Sequence, residues 1–348
     1  MHRNSARRTK REPIDFTFYG VNLFLAGMNL VLSVFAGAGG TAVATAGTPT
    51  PDTATGVAVS AGKHLAVAAA FLSACALPWL LSLLEDHLEG RPRAARLGRF
   101  LRTFYVHAFY GPYFAEVIIL SQLVWGGSSI DPLVAAAEKA VFGFQPALAF
   151  SAALSHLRAL NELFFFGYFS YYLIITTGFW VMFFRGYDEA ARRALFIATT
   201  SFAVLYVWYV FVPVQGPKYF FESLNRAWYG EFEGYLIVPV MRAIFNNMNL
   251  AGAAFPSSHV AIGLIAAGLI RRHLPRLFWV YAGLFVLLCL STVYIYAHYA
   301  IDIFAGILVV FPLLWIARPL YRRAKRLTAT RGAGASRAAP DGPPSTSL

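Results

Sequence analysis

Charged residues and cysteine are both scarce in this chain. Only 13% of its 348 residues are charged and 58% are hydrophobic, whereas charged residues make up about 25% of an ordinary soluble domain. This shortage of charge excludes a typical soluble fold and predicts a polytopic membrane protein, in which the bilayer takes the place of a large soluble core. Cys75 and Cys289 are the only cysteines, and both lie inside apolar runs. They therefore indicate neither a disulfide framework nor a metal site.

Acidic residues are also in the minority. The chain has 17 Asp and Glu against 29 Lys and Arg, which gives a net charge of +12. An excess of positive charge can accompany nucleic-acid binding. Here, however, the basic residues form short blocks between apolar runs, which is the pattern of juxtamembrane loops. We therefore expect membrane lipids as partners and no nucleic acid.

The long apolar runs predict an all-α fold, a polytopic membrane helical bundle of about eight transmembrane helices. The expected spans are 16–36, 64–84, 103–125, 163–184, 194–212, 250–270, 277–297 and 298–317. The first span carries no charge from Phe16 to Ala36. It is longer than the apolar core of a signal peptide, which has about 7–15 residues, so we interpret it as a retained span.

Two shorter helices are expected between the third and fourth spans. Asp131 and Pro132 are the residue types of a helix N-cap and a first helical position, and Gly143 is expected to end that helix. A second helix is expected from Pro146 to about Leu160. Each is apolar on one side, which predicts helices that lie in the membrane interface.

The same pattern divides the chain into four regions. They are a basic cytoplasmic tail at 1–15, a three-span region at 16–125, a membrane domain with the candidate catalytic residues at 126–317, and a second cytoplasmic tail at 318–348. This second tail is basic at first and is expected to become disordered. The connections 37–62, 85–102 and 213–249 are expected to be a flexible loop, a basic loop and a polar loop.

The distribution of positive charge predicts the orientation. With eight spans, 23 of the 29 Lys and Arg residues fall on one side of the membrane, which marks that side as cytoplasmic. Both termini are therefore expected in the cytoplasm, and Lys218, His259, His298 and Asp302 on the extracytoplasmic side. The abundance of Ala, Gly and Arg is typical of bacteria, so the expected location is a bacterial inner (cell) membrane.

Two short motifs carry the candidate chemistry. Pro256-Ser257-Ser258-His259 lies in the expected sixth span, and His298 and Asp302 lie at the start of the eighth. Each span reaches about 20 residues only if these polar side chains are included, so they are expected at the outer lipid boundary. Ionisable groups are costly there and indicate function. A site at that depth suits a lipid headgroup better than a freely soluble substrate.

The residue types in these motifs suit phosphoryl transfer. Residues four apart share a helix face, so Asp302 is placed to hold the His298 imidazole in one tautomer, which makes a good nucleophile towards phosphorus. Ser257 and Ser258 begin a helix whose free N–H groups favour a bound phosphate, and His259 could then protonate the leaving oxygen. A single interfacial histidine is more often structural. The presence of both motifs at one membrane face is what favours chemistry.

These motifs resemble those of the type 2 phosphatidic acid phosphatase superfamily. The resemblance covers roughly residues 130–317 and is most specific in the run 255–260 and in Ser291, His298 and Asp302. More narrowly, the chain resembles the inositol phosphorylceramide synthase (aureobasidin-resistance) branch of inositolphosphotransferase-like proteins. The segments that fit this branch are Val141-Phe142-Gly143 with Gln145-Pro146, Glu162 with Tyr168–Tyr172, Pro213 with Gly216-Pro217-Lys218, and the core 298–302.

The resemblance implies a role for each residue of the two motifs. His298 matches the nucleophile that becomes a phosphohistidine, His259 matches the general acid, and Asp302 matches the residue that orients the nucleophile. The mechanism needs neither a metal nor an organic cofactor, so none is expected.

The chain departs from the phosphatases of this superfamily at two arginines. Their first motif is Lys-x6-Arg-Pro, whereas Arg226 comes one place late after Lys218 and has no proline behind it. Thr292 stands where those phosphatases have the arginine of the third motif. These departures favour the transferase branch. Lys218 is the chief remaining phosphate-binding cation or, alternatively, an interfacial anchor, and Ser257, Ser258 and Arg226 are further candidates for binding the substrate.

We therefore expect an integral membrane lipid phosphotransferase that moves a phosphate-containing headgroup at the extracytoplasmic face through a phosphohistidine. The expected substrate is a phospholipid or lipid phosphate, and the acceptor is a polyol or a lipid alcohol. Hydrolysis of a lipid phosphate is the first alternative, and a non-catalytic lipid transporter or scaffold on the same fold is the second. Glu116, in the middle of the third span, either supports the site or is a protonated packing residue.

Overall fold

A computed structural model of the protein describes residues 11–37, 61–230, 232–247 and 251–336, and it contains no strand within these ranges. This confirms the all-α prediction. The helices are α1 Pro13–Gly37, α2 Ala61–Ala74, α3 Leu77–Leu88, α4 Pro92–Phe104, α5 Tyr110–Val124, α6 Asp131–Phe142, α7 Pro146–Leu154, α8 Arg158–Phe184, α9 Asp188–Phe211, α10 Pro217–Phe220, α11 Glu222–Gly230, α12 Ile237–Asn247, α13 Ser258–Ile270, α14 Pro275–Tyr294 and α15 Ala300–Ser336, with a 3-10 turn at Tyr105–Phe109 before α5.

By length and composition, six helical stretches in the described residues can cross a membrane. They are Pro13–Ala36, Ala61–Leu88, Arg158–Phe184, Asp188–Phe211, Pro275–Tyr294 and Ala300–Ala329. The spans expected at 103–125 and 250–270 are shorter helices, because α5 has 15 residues and α13 has 13. The 3-10 turn delays the start of α5. Helix α13 begins at Ser258, directly after its N-cap Ser257. The eight expected spans therefore correspond to six full-length helices and two shorter ones.

Several connections that were expected to be loops are helical. The basic segment 85–102 contains most of α4, which turns Arg102 inward, and the polar segment 213–249 contains α10, α11 and α12. Helix α15 continues past the expected end of the eighth span to Ser336, so the basic block that follows lies on a helix. The domain boundary at 317 stays a prediction. The residues 38–60 of the expected flexible loop, and residues 337–348, lie outside the described ranges.

The two helices between the third and fourth expected spans are present. Helix α6 begins at Asp131, so the N-cap is Ile130 and the prediction of Asp131 as N-cap is wrong by one residue. The helix ends at Phe142, and its C-cap Gly143 has a φ of +79°, the left-handed conformation that favours glycine. Helix α7 ends at Leu154, not near Leu160, because α8 already begins at Arg158. The two helices are bent by 72° relative to one another. Their location in the membrane interface stays a prediction.

Helix α13 lies at the centre of the bundle. It packs against α8, α9, α14 and α15, and ten of its thirteen residues are buried. An apolar helix surrounded in this way suits the interior of a membrane protein. Its contact with α15 is close, because a Cβ atom added at Gly306 would lie 2.8 Å from the Ser257 carbonyl oxygen. Glycine therefore allows α15 to pass directly beside the start of α13.

The basic segments meet at the end of the bundle opposite to the start of α13. Arg102 donates to Asp15 at 2.8 Å, and Arg96 donates to the Phe184 carbonyl at 2.7 Å. Tyr321 donates to Glu189 at 2.8 Å. These contacts join the first turn of α1, helix α4, the α8–α9 turn and the far part of α15. Positive charge is therefore concentrated at one end of the molecule, as in proteins that follow the positive-inside rule.

Candidate active site

His259 and His298 lie in direct contact, although 39 residues separate them in the sequence. His259 is in the first turn of α13, and His298 is in the turn between α14 and α15. Nδ1 of His259 lies 3.0 Å from Nε2 of His298. Both side chains are largely buried, with exposed fractions of 9% and 3%. The fold therefore brings the two sequence motifs together into one site.

Asp302 lies on the other side of the His298 ring. Nδ1 of His298 is 2.8 Å from the Ala254 carbonyl oxygen and 3.3 Å from Oδ2 of Asp302. Both neighbours are acceptors, so the proton belongs on Nδ1 and the lone pair on Nε2. The nitrogen that can attack phosphorus is therefore the one that faces His259.

The His298–Asp302 pair depends on the way α15 begins. The two residues were expected to share a helix face, but α15 starts only at Ala300, so His298 precedes it. Oδ2 of Asp302 accepts a hydrogen bond of 2.9 Å from the backbone N–H of Tyr299. A carboxylate in the first turn that bonds back to the N-cap residue is half of a capping box. Asp302 thus closes the turn that holds His298 and also orients its ring.

The two serines have different surroundings. Ser257 is the N-cap of α13, and its Oγ accepts from the N–H of Val260 at 3.4 Å. Its own N–H donates to the Asp302 carbonyl at 3.2 Å. Ser258 lines the cavity that reaches both histidines. We therefore expect Ser257 to position the motif and Ser258 to contact a substrate.

Lys218 lies in α10 and is only 2% exposed. Its Nζ is 4.5 Å from the centre of the Trp228 ring and 5.0 Å from the ring centres of Tyr219 and Phe245. Such contacts favour a cation, but burial lowers the pKa of Lys218 to about 8. Lys218 lines the same cavity as both histidines.

The segment that carries Lys218 is held against the His298 turn. The Lys218 N–H donates to the Tyr296 carbonyl at 2.9 Å. Gly216 has a φ of +95°, and a Cβ atom there would lie 2.8 Å from the Ala297 carbonyl oxygen. A larger residue at 216 would therefore be strained and would also push the two segments apart.

Thr292, one of the two departures from the phosphatase motifs, brings no positive charge to the site. Thr292 is fully buried in α14, and its hydroxyl donates to the Cys289 carbonyl at 2.8 Å. Arg226 is in α11, but its side chain lies outside the described part of the chain, so its role stays a prediction. Among the described residues that line the cavity, Lys218 is the only lysine or arginine. Lys218 is therefore the candidate cation for an anionic substrate among the described lining residues.

The cavity has a volume of about 250 Å³ and continues beyond the histidines into the bundle. Tyr168 and Tyr171 pack on His259, with ring centres 4.6 and 4.4 Å from its own. Further in, the walls come from α5, α8 and α9, at residues that include Gly111, Thr176 and Phe202. Helices α5 and α8 both pack on α9 but not closely on each other. The inner part of the cavity lies beside this gap.

Asp131 is a buried site residue whose role the sequence did not indicate. Its carboxylate accepts from the N–H groups of Gln215 and Gly216 at 2.7 and 2.9 Å, and from the Tyr299 hydroxyl at 2.9 Å. It therefore ties the Lys218 segment to the residue that follows His298. The Asp-Pro pair predicted only the start of a helix, and no local pattern points to these distant partners.

Two other carboxylates act as helix caps near the site. Glu138, fully buried in α6, accepts from the N–H of Ala300 at the start of α15 at 2.5 Å. Glu162 accepts from the backbone around the start of α12, including the N–H of Ile237 at 2.7 Å. A negative charge at a helix N-terminus is stabilising. Glu162 belonged to a motif of the resemblance, whereas Glu138 had no sequence signal.

Glu116 lies outside the cavity. It accepts from the Asn29 amide at 2.7 Å, and Oδ1 of Asn29 lies 2.7 Å from Nδ1 of His64. This network joins α5, α1 and α2 and satisfies polar groups that would be costly in lipid. Among the described residues, no three His, Cys, Asp or Glu side chains are grouped as a metal site requires.

Asp131→Asn is expected to lower kcat about tenfold while the protein still folds. The amide turns an N–H group towards a backbone N–H, and an unsatisfied buried group costs about 1–3 kcal/mol, so the Lys218 segment and the His298 turn would lose their alignment. Steady-state kinetics with a thermal melt would measure both effects. The exposed carboxylate of Glu89 offers a control, because Glu89→Gln should leave kcat unchanged. Equal kcat in both variants would show that Asp131 does not position the site.

Comparison with known proteins gives one family. The family model described as PAP2 superfamily matches residues 133–316, which is more than half of the chain and includes both histidine motifs. No curated protein and no solved structure gives a match. The match extends to the superfamily, and the inositolphosphotransferase branch stays a prediction.

Proposed function

Because the chain belongs to the PAP2 superfamily, whose membership suggests a lipid phosphatase or phosphotransferase, we propose that it transfers the phosphate-containing headgroup of a membrane lipid through a phosphohistidine on His298. The observation that carries this proposal is the pairing of the histidines, with Nε2 of His298 facing Nδ1 of His259 at 3.0 Å. A nucleophile and a proton donor are thus adjacent inside one cavity, and phosphoryl transfer from a lipid alcohol through a covalent intermediate uses both.

In the first step, the phosphate group of the donor enters between the two imidazoles, which must move apart because nitrogen atoms 3.0 Å from each other leave no room for it. Nε2 of His298 forms a bond to phosphorus as the bond from phosphorus to the leaving oxygen breaks. A phosphate anion bound beside His259 favours the cationic form of its ring, which then gives its proton to that oxygen. The phosphorylated His298 ring carries positive charge, which Asp302 and the Ala254 carbonyl stabilise from the Nδ1 side.

The second step reverses the first with a new oxygen. His259, now neutral, accepts a proton from an incoming hydroxyl group, whose oxygen attacks phosphorus and displaces Nε2 of His298. From a phospholipid donor, an alcohol gives a new phosphodiester and water gives a phosphomonoester. From a lipid phosphate donor, an alcohol gives a new phosphomonoester and water gives free phosphate. We favour an alcohol, of the polyol or lipid type, because the two arginines of the phosphatases are replaced by Thr292 and a shifted Arg226.

Transfer and hydrolysis are distinguished by their products. Purified protein in vesicles that contain a labelled phospholipid would be supplied with inositol, glycerol or diacylglycerol in turn. Transfer predicts that one of these alcohols yields a new labelled phosphodiester, which is a phospholipid when the acceptor is diacylglycerol and a water-soluble diester when it is inositol or glycerol, at the expense of the hydrolysis products. If only phosphate or phosphomonoester accumulated with every alcohol, the protein would be a phosphatase. If no turnover occurred with any lipid, the transporter or scaffold alternative would be favoured.

The pH dependence of kcat/KM is expected to follow the protonation of Lys218. Its pKa is lowered to about 8, so in the free protein the cation is present below pH 8 and is lost as the pH rises through 8. Loss of the cation removes its attraction for the substrate phosphate, and kcat/KM should fall above that pH. Lys218→Arg should remove this alkaline limb, because arginine stays protonated. An unchanged limb in this variant would assign it to another group.

The inner cavity is the proposed site of the lipid chain. Apolar and aromatic side chains line it, and it lies beside the gap between α5 and α8, which would admit a chain from the bilayer. Gly111 lies on this wall, and a Cβ atom added there meets no other atom within 4 Å. A side chain at 111 would therefore fill the cavity without disturbing the fold.

Gly111→Leu is expected to lower kcat/KM for long-chain lipid phosphates about tenfold or more, since obstruction of an apolar pocket costs about 1–3 kcal/mol. Turnover of water-soluble p-nitrophenyl phosphate should not change, because the histidines are untouched. Gly283, on α14, also has open space around it and is exposed, so Gly283→Leu serves as a control. Equal loss for long-chain and water-soluble substrates would contradict the chain assignment.

We also propose that the site faces the extracytoplasmic side and that both termini are cytoplasmic. The basic segments meet at the end of the bundle opposite to the histidines, which supports this orientation through the positive-inside rule. A bacterial inner membrane is the proposed location. Labelling of single cysteines introduced at the exposed His156 and Arg93 with an impermeant reagent would test it. The reagent should reach position 156 from outside intact cells and position 93 only after lysis.

A further inference from the structure

A second large cavity lies at the basic end of the bundle, far from the histidines. It has a volume of about 940 Å³ and is formed where α8 ends, α9 begins, α13 ends and α15 passes. Its lining includes Arg193, Arg272, Arg318, Arg322 and Lys325. We call this cavity the basic recess.

The basic recess has an excess of positive charge. Of its two carboxylates, Glu189 accepts from the Tyr321 hydroxyl at 2.8 Å and is paired with Lys325. Within the described part of the chain, no ion pair involves the other four cations, which are Arg193, Arg272, Arg318 and Arg322. Asp188 alone cannot balance them. The positive-inside rule requires basic residues at this end of the molecule, but it does not require arginines from two helices and the α13–α14 turn to converge on one concave surface.

The α15 face that bears two of the recess arginines is apolar before it reaches the recess, because Phe311 and Trp315 precede these arginines and are not part of the recess lining. Phe311, Trp315, Arg318 and Arg322 are spaced by four, three and four residues, which places them on the same side of the helix. Phe311 and Trp315 are exposed by 72% and 79%. Exposed tryptophan is typical of the level of the lipid headgroups. The order of these side chains along α15 therefore matches the order of groups in a phospholipid, with the acyl chains beside Phe311 and the phosphate beside the arginines.

We propose that the basic recess binds the phosphate group of an anionic phospholipid from the membrane leaflet on the cytoplasmic side. Arginine pairs with phosphate through two parallel N–H bonds, and basic pockets between membrane helices are suited to anionic headgroups. This lipid is separate from the substrate, because the recess lies at the opposite end of α13 from His259. The proposal does not depend on the reaction at His298.

The test compares two double variants that remove the same charge. Arg272→Gln with Arg318→Gln removes cations of the recess. Arg91→Gln with Arg93→Gln removes two exposed cations of the α3–α4 turn, which lies at the same end of the bundle but outside the recess. Each protein would be reconstituted in nanodiscs of phosphatidylcholine with 30% phosphatidylglycerol as the probe, transferred to detergent and analysed by native mass spectrometry. Thermal melts would confirm that all of them are folded.

We expect the wild type and the Arg91/Arg93 variant to retain phosphatidylglycerol, and the Arg272/Arg318 variant to retain about tenfold less. Equal retention by all three proteins would overturn the proposal and leave the arginines as an orientation signal alone. Inorganic phosphate is the second probe. The lipid assignment would be wrong if inorganic phosphate bound to the wild type but not to the Arg272/Arg318 variant, and if phosphatidylglycerol was not retained by either protein. The ligand would then be a soluble phosphate. If the double variant did not fold, Arg318→Gln alone should still lower retention relative to Arg93→Gln.

Discussion

His298→Asn is expected to lower turnover of every phosphate substrate by at least about 10⁴-fold, because it removes the only protein atom that forms a bond to phosphorus in the proposed mechanism. Asparagine retains an N–H group that can donate to the Ala254 carbonyl, which accepts from Nδ1 of His298 at 2.8 Å. The turn between α14 and α15 should therefore keep its shape. Steady-state rates with a lipid phosphate and with p-nitrophenyl phosphate would measure the effect.

The matched control is His156→Asn. His156 is exposed between α7 and α8 and does not line the cavity, so its replacement should leave kcat within about twofold of the wild type, as for most surface changes. Thermal melts of both variants separate loss of chemistry from loss of fold. If His298→Asn remained folded and kept even a tenth of the wild-type rate, His298 would not be the nucleophile.

His259→Asn is expected to have an effect that depends on the leaving group. His259 protonates the leaving oxygen in the first step, and a general acid contributes about 10²–10⁴-fold. An alkoxide leaving from a lipid phosphate needs this proton, so lipid turnover should fall by that factor. A p-nitrophenolate is a stable anion and leaves without a proton. With this substrate the first step should remain fast and only the second step, in which His259 acts as a base, should be slow.

The result expected for His259→Asn and p-nitrophenyl phosphate is therefore a burst. One equivalent of nitrophenolate per enzyme should appear quickly, followed by slow steady-state release while phosphorylated protein accumulates. His273→Asn is the control, since His273 lies at the opposite end of α13 against Tyr187 and should show wild-type kinetics. Equal loss of rate for both leaving groups, without a burst, would remove His259 from proton transfer and leave it a structural role.

The sequence predicted the parts of the fold that depend on composition along one segment. Apolar length located the six long helices, and Gly143 ended α6 because its position needs a left-handed backbone. The sequence-based prediction failed for segments whose structure depends on tertiary contacts. The segment 85–102 looked like a basic loop, but Arg102 turns inward to pair with Asp15, which stabilises the helical form of α4.

The candidate site, like the fold, could be predicted only where it depends on local sequence. His259, His298 and Asp302 stand in short motifs, so residue type and spacing were sufficient to select them. The structure adds a fact that residue spacing does not show: Nε2 of His298 faces His259. Asp131 was missed because Tyr299, which donates to its carboxylate, is 168 residues away. A single sequence carries no signal of such a pairing.

The central claim is that His298 becomes phosphorylated, and trapping of the phosphorylated protein tests it most directly. His259→Asn protein would be mixed with ³²P-labelled p-nitrophenyl phosphate, quenched in alkali and analysed by mass spectrometry of its peptides. A phosphorus–nitrogen bond on histidine survives alkali and is lost in acid, so we expect an acid-labile phosphate on the peptide that contains His298. The label should be absent when His298→Asn is added to the same protein. Turnover of the substrate with no labelled histidine, or with the label on another residue, would contradict the mechanism.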